Sequence, residues 1–295
     1  QSIHQRQLSP FNRCPSVSLN KPSVTMQAVC AVKASNEELR RFDPINCLIY
    51  NLLPKADEYR IKMDQYSSGM FTHTIFFRKK YFSNLLNANA KDYSQLVVIC
   101  GGLDFSCLSS PGWKDKPKFF IDHPLSLELS LPLLKQVDVN AETMKFLGID
   151  LVDPDAAALL SAELLNKGFD LDKSTLVIWE GATYYIEKHN VFSTIEALSN
   201  LMPHMKLAFD FVLAIPAFKT NVADEEIKGL KKNLDYVKRH NEPWKSKFCS
   251  NEIIRKLEDL GFTNVIFHTD KDIINMLKIK LRNYKMMFGF VAANR

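Results

Sequence analysis

The run Leu96-Val97-Val98-Ile99-Cys100-Gly101-Gly102-Leu103-Asp104 is apolar until it ends in two glycines and an acid. Three later apolar runs also end in carboxylates. Asp122 closes Lys118–Asp122, Asp150 closes Lys145–Asp150 and Glu180 closes Thr175–Glu180. If these runs are strands of an open parallel sheet, their carboxyl ends share the edge where such sheets bind ligands. One acid there is ordinary loop polarity. Three on consecutive strands, beside a glycine turn, point to a ligand site. The glycines allow either a tight turn or the approach of a ligand to the backbone, and the residues leave both open. Rival chemistries lack their motifs: the chain has no GxSxG, HExxH, phosphate loop, zinc spacing or GxGxxG.

Positioning such a site takes alternating strands and helices. Leu96–Cys100, Lys118–Asp122, Lys145–Asp150, Thr175–Glu180, Lys206–Leu213, Asn264–His268 and Met286–Ala293 read as seven strands. Asp155–Lys167 reads as a helix stopped by Gly168. Asn190–Asn200 has apolar residues at 191, 192, 195 and 198, on one helical face, and Ser250–Leu260 is a third helix. Thr269–Tyr284 reads as a helix or a long loop. The alternation predicts an α/β fold with a mostly parallel sheet and helices on both faces. Asp43–Ala90 is helical in pattern and predicts a cap over the sheet. The expected organisation is a disordered segment 1–36 and one domain over 37–295, with the cap at 37–90 and the core at 91–295.

The chain has 295 residues, 46% of them apolar, and a net charge of +5. No basic-aromatic stripe or helix-turn-helix appears, so no nucleic-acid partner is expected. Without a run of 18 apolar residues, no membrane span is expected either. The six cysteines show no CxxC pairing and read as reduced thiols. The first 36 residues carry Arg6, Arg13, Lys21 and Lys33, recurrent serines and no acid. That is the composition of an organelle transit segment. Val29–Ala34 reads as a plastid processing region, and a plastid address is expected ahead of a cytoplasmic one.

Several segments together resemble the leucine carboxyl methyltransferase family of class I S-adenosylmethionine-dependent methyltransferases. Gly168-Phe169-Asp170, followed by Thr175–Gly181 and Tyr185, resembles its GFD segment and its strand ending in E-G-x-x-x-Y. Ile149–Asp153 resembles D-L-R-D, with Val152 in place of Arg. Phe119–Pro124 resembles F-E-V-D-x-P, Ile99–Asp104 resembles L-G-A-G-L-D, and Arg78–Phe82 resembles the R-T-R segment. The similarity covers about Asp43 to Arg295.

The resemblance implies a Rossmann-like sheet, S-adenosylmethionine as cofactor and O-methylation of a carboxylate or hydroxyl. The acceptor would be a small molecule or a protein C-terminal carboxylate. It implies that Gly101 and Gly102 let the cofactor approach and that Asp122 binds its ribose. Asp150 and Leu151 would flank the adenine, Arg78 would meet the methionine carboxylate, and Glu180 would face the ammonium or sulfonium. Tyr184 and Tyr185 would line the acceptor side, and Thr220–Pro243 would vary with the substrate. His123 reads as a solvated loop histidine and a minor candidate for a general base. The chain departs from the family at Cys100, Phe105, Phe120 and Val152, changes expected to fall around the cofactor pocket. They leave open an alternative, a methyltransferase fold repurposed for binding or for another reaction.

Overall fold

The computed structural model describes residues 23–214, 224–281 and 287–295, with backbone alone over 224–230. Five helices come first: α1 (Val24–Ser35), α2 (Glu37–Phe42), α3 (Pro44–Tyr50), α4 (Ala56–Ser67) and α5 (Met70–Ala88). The core follows as β1 (Gln95–Ile99), α6 (Ser106–Ser109), β2 (Lys118–Asp122), α7 (Pro124–Gln136) and β3 (Met144–Gly148). Next come α8 (Ala156–Asn166), β4 (Thr175–Trp179), a 3₁₀ turn (Thr183–Tyr185), α9 (Lys188–Leu201) and β5 (Met205–Val212). The chain continues through α10 (Asp224–Arg239), α11 (Ser250–Asp259), β6 (Thr263–Thr269), α12 (Asp270–Met276) and β7 (Phe288–Asn294).

The sheet order is β3-β2-β1-β4-β5-β7-β6. The first five strands are parallel, and β7 runs antiparallel to both β5 and β6. This is the α/β sheet expected from the alternation of strand and helix. The expected start of the last strand, Met286, lies outside the described residues.

Side chains along each inner strand divide between two cores, because successive residues point to opposite faces. Val97, Ile99, Phe119, Ile121, Val177 and Trp179 pack with α8, α9 and α11. Leu96, Phe120, Leu176 and Ile178 pack against α3, α5, α7 and α12. Residues buried on both faces explain why these strands read as continuous apolar runs. Local signals set the helix ends. Pro124 opens α7 behind His123, whose ring accepts the Leu125 N–H. Gly168, at φ +86°, ends α8.

The N-terminal segment departs from expectation. Residues 1–22 fall outside the described residues, and with them most of the proposed transit segment. Residues 24–35 are not disordered: they form α1, with Ala28, Cys30, Ala31, Val32 and Lys33 all buried. The stretch expected to be a processing region, Val29–Ala34, lies in the C-terminal half of this helix, with Cys30 to Lys33 buried. Among the described residues, the packed structure thus includes 23–36 as well as 37 onward. Ser23 caps α1 by accepting the Met26 N–H at 3.0 Å. Lys33 Nζ lies 2.5 Å from Asp43 Oδ2 and 3.2 Å from Asp104 Oδ2. Burial alone would push the Lys33 ammonium down, but Asp104 and Asp43 hold its pKa above the ordinary lysine value.

These contacts set an expected outcome. Lys33→Met strips the partner from buried Asp43 and should cost about 3–5 kcal/mol, the range for breaking a buried pair. Deleting residues 1–34 should likewise lower the urea midpoint. Equal midpoints for the deleted and full chains would return α1 to the status of a dispensable tail.

Candidate functional site

The carboxyl ends of β1, β2, β3 and β4 open into a cavity of about 740 Å³, within the range of small-molecule sites. Arg78, Gly101, Gly102, Asp122, Asp150, Leu151, Glu180, Tyr184 and Tyr185, the nine residues picked out in the sequence, all line it. So do His123 and Cys100.

At one end, Asp122 is nearly buried and accepts the Gly102 N–H on Oδ2 and the His123 N–H on Oδ1, each at 2.8 Å. Burial pushes its carboxyl up, against the pull of those two backbone donors. Asp150 is turned by a bond from the Val152 N–H to Oδ1 (3.1 Å), and its Oδ2 lies 3.5 Å from His123 Nε2. His123 Nδ1 accepts the Leu125 N–H (3.2 Å), which leaves Nε2 to carry the proton of the neutral ring. Leu151 sits buried beside this pair.

At the other end is a chain of charges. Lys79 Nζ pairs with Asp104, lies 3.4 Å from Glu180 Oε2 and donates to Ser106 Oγ at 3.1 Å. Asp104 also holds Lys33, which holds Asp43. Burial would raise the Asp104 carboxyl, but Lys33 and Lys79 outweigh it and keep it well below the usual carboxylate range. Three carboxylates, Asp43, Asp104 and Glu180, face two ammoniums, Lys33 and Lys79. The cluster therefore has one negative charge in excess. Burial raises the pKa of Glu180, only partly offset by Lys79.

Arg78 is not exposed to the cavity as a free cation. Its Nε lies 2.9 Å from Asp210 Oδ2, and Asp210 also accepts the Gly181 N–H at 2.6 Å. The guanidinium packs 4.8 Å from the Phe288 ring centroid and 5.9 Å from that of Tyr184. Nε, Nη2 and Asp210 Oδ2 all lie buried without a well-aligned hydrogen bond among the described residues, so charge holds this pair. Tyr184 is buried against Tyr185, Trp244 and Phe288, at centroid distances of 4.7, 4.8 and 5.9 Å.

The glycine turn has an explanation within the fold. A Cβ on Gly101 would lie 2.5 Å from the Phe120 ring. Gly102 has φ +59°, and its Cβ would meet Met26 of α1 at 3.3 Å. Cys100 also adopts a left-handed conformation, φ +53°, where the family has glycine. Phe105 and Phe120 were expected around the pocket and are not there. They stack at 5.2 Å, fully buried in the core between the sheet and α5. Of the four departures, Cys100 and Val152 line the cavity.

The sequence reading passed over Lys33, Lys79, Asp104, Glu242 and Trp244, all of which line the same cavity. Lys33 had a readable signal, a lone ammonium in the apolar run Val29–Ala34. Glu242 falls in Thr220–Pro243, the segment expected to vary with the substrate, and Trp244 had no signal.

The arrangement suits S-adenosylmethionine. The excess negative charge matches the net positive charge of that molecule, and the Arg78 guanidinium in the cavity wall suits a carboxylate. Asp122 offers acceptor lone pairs to ribose hydroxyls, and Asp150 with Leu151 offers a polar and an apolar edge to a base.

Comparison with known proteins adds the following. A family model described as leucine carboxyl methyltransferase matches residues 41–199, more than half of the chain. No curated protein matches. Among solved structures, a duf574 family protein from Streptomyces avermitilis aligns at TM-score 0.59 and 16% identity, over 82% of this chain and 91% of that one. An O-methyltransferase family protein from Burkholderia thailandensis aligns at TM-score 0.46 and 10% identity, over 78% of this chain and 61% of that one. The present chain thus spans less than two thirds of that protein. Human N-acetylserotonin methyltransferase, in complex with its cofactor, aligns at TM-score 0.43 and 12% identity, over 92% and 71%. The first likeness carries the fold, and the other two carry no argument.

Two outcomes follow from the geometry. A cationic cofactor binds ionised Glu180, so affinity for S-adenosylmethionine should fall as pH drops through the raised pKa of that residue. Glu180→Gln should flatten the dependence in calorimetric titrations, whereas an unchanged slope would place the titrating group elsewhere. Gly102→Val combines a left-handed backbone with crowding at Met26, and should cost at least about 1–2 kcal/mol of stability in urea melts. A variant of unchanged stability that binds cofactor poorly would mean that the ligand, not the fold, requires this glycine.

Proposed function

The chain belongs to the leucine carboxyl methyltransferase family of S-adenosylmethionine-dependent methyltransferases, and on that premise we propose that it O-methylates a small molecule. The observation that carries this reading is the convergence of Arg78, Gly102, Asp122, Asp150 and Glu180 on one cavity whose buried charge cluster is short of one cation.

When bound, S-adenosylmethionine supplies a methyl group on a sulfonium, which a nucleophile displaces in line. The residues of this chain have only to bind, orient and exclude water. Asp122 is fixed by two backbone N–H groups and presents its remaining lone pairs to the ribose. Asp150 and Leu151 hold the adenine. Arg78 would meet the methionine carboxylate while Asp210 holds its Nε. Glu180, shared with Lys79, faces the cationic end. Tyr184 and Tyr185 form the wall on the acceptor side. The acceptor is an oxygen nucleophile, a hydroxyl or a carboxylate.

Calorimetry with S-adenosylmethionine and S-adenosylhomocysteine is expected to show a single site. Asp122→Asn should weaken both by tenfold or more, about 1.4 kcal/mol, with little change in melting temperature. A flat titration at millimolar cofactor would favour a fold repurposed away from methyl transfer.

A further inference from the structure

Glu242 is held from three sides. Its Oε1 accepts the Val24 N–H at 2.7 Å, and its Oε2 accepts the Thr25 N–H at 3.2 Å. Its own N–H donates to the Val237 carbonyl, 2.9 Å away at the end of α10. The residues after it are tied to the 3₁₀ turn: the Lys245 N–H donates to Tyr184 O (2.6 Å) and Ser246 Oγ donates to Thr183 O (3.0 Å). This pins a carboxylate in the wall of the cavity beside the rings of Tyr184, Tyr185 and Trp244, with Tyr59, Met63 and Phe71 lining the same space. Burial pushes the Glu242 carboxyl up. Burial also raises the Tyr185 phenol well above its ordinary value, and the Glu242 charge adds to that rise.

The cations around the cavity are already engaged. Lys33 is paired with Asp43 and Asp104, Lys79 with Asp104 and Glu180, and Arg78 with Asp210. Arg239 and Lys245 are exposed at the rim, as is His240, whose Nδ1 lies 2.8 Å from Tyr236 O. A carboxylate acceptor would have to shed its water beside Glu242 and Glu180, with no uncommitted buried cation among the described residues to receive it. A neutral hydroxyl compound meets no such penalty. Its ring can pack on Tyr184, Tyr185 and Trp244, and its O–H can donate to a carboxylate.

We infer that the acceptor of this enzyme is a neutral aromatic hydroxyl compound, and that Glu242 receives its proton. The inference rests on the methyl-transfer reading above and narrows it. A carboxylate nucleophile is already ionised and needs no base, whereas a hydroxyl gains from one within reach. The step balances: the acceptor O–H bond breaks and its proton passes to the Glu242 carboxylate. The oxygen forms its bond to the methyl carbon as the S–CH₃ bond breaks, and the sulfur keeps that electron pair as the neutral thioether of S-adenosylhomocysteine.

The test uses a matched pair of probes, 2-naphthol and 2-naphthoate, titrated at pH 7 into the protein loaded with S-adenosylhomocysteine. Failure of the loading step itself would sink the methyl-transfer reading. With loading achieved, 2-naphthol is expected to bind at least tenfold tighter than 2-naphthoate. Glu242→Gln keeps an oxygen to accept an N–H from α1 and removes the charge. It should admit 2-naphthoate and shrink the preference below threefold. Equal or tighter binding of 2-naphthoate to the unmutated protein, or binding of neither probe, would overturn the inference without any variant. An unchanged preference in a folded Glu242→Gln would leave Glu242 as a cap on α1 and nothing more.

Discussion

Asp104 is the residue on which the architecture around the cavity depends. It follows the glycine turn after β1, accepts the Ser106 N–H at 3.0 Å on one oxygen and takes both Lys33 and Lys79 on the other. A carboxylate this largely withdrawn from water is stabilised by such partners. Each partner brings a helix with it. Lys33 anchors α1, Lys79 anchors α5, and Lys79 extends the tie to Glu180 at the end of β4. The cap is therefore fastened to the carboxyl edge of the sheet by charge rather than by apolar burial alone. The same fastening leaves Glu180 short of a full counter-charge, the property that suits the edge to a cation.

The sheet was legible in the sequence because its inner strands are buried on both faces. Lys118–Asp122 was read with the observed boundaries, and Thr175–Glu180 differed by one residue at its end. The acids at strand ends were legible for a related reason, since a carboxylate closing an apolar run stands out. The meaning of α1 was not legible. Its serine-rich, acid-free surroundings resemble a transit segment, while its stabilising partners, Asp104 and Glu242, lie 71 and 218 residues away. Phe105 and Phe120 failed differently. Phe105 follows the glycine turn and Phe120 precedes Asp122, but their rings stack on one another in the core, with Phe120 packed against Gly101. A departure next to a site residue was read as a departure at the ligand, and the packing of two rings 15 positions apart is not visible in the sequence. Arg78 shows the limit of motif reading: its position at the cavity was legible, but its commitment to Asp210, 132 positions later, was not.

The long span between α1 and its anchors matters during synthesis. A ribosome adds residues from the N-terminus at about 5–20 per second. The backbone of Val24 must therefore wait roughly 10–40 s after its own synthesis before Glu242 exists to receive its N–H. Throughout that interval the apolar face of α1, with Ala28, Cys30, Ala31 and Val32, has no completed site to enter. Although it is made early, α1 is thus among the last of the described helices to be fully docked.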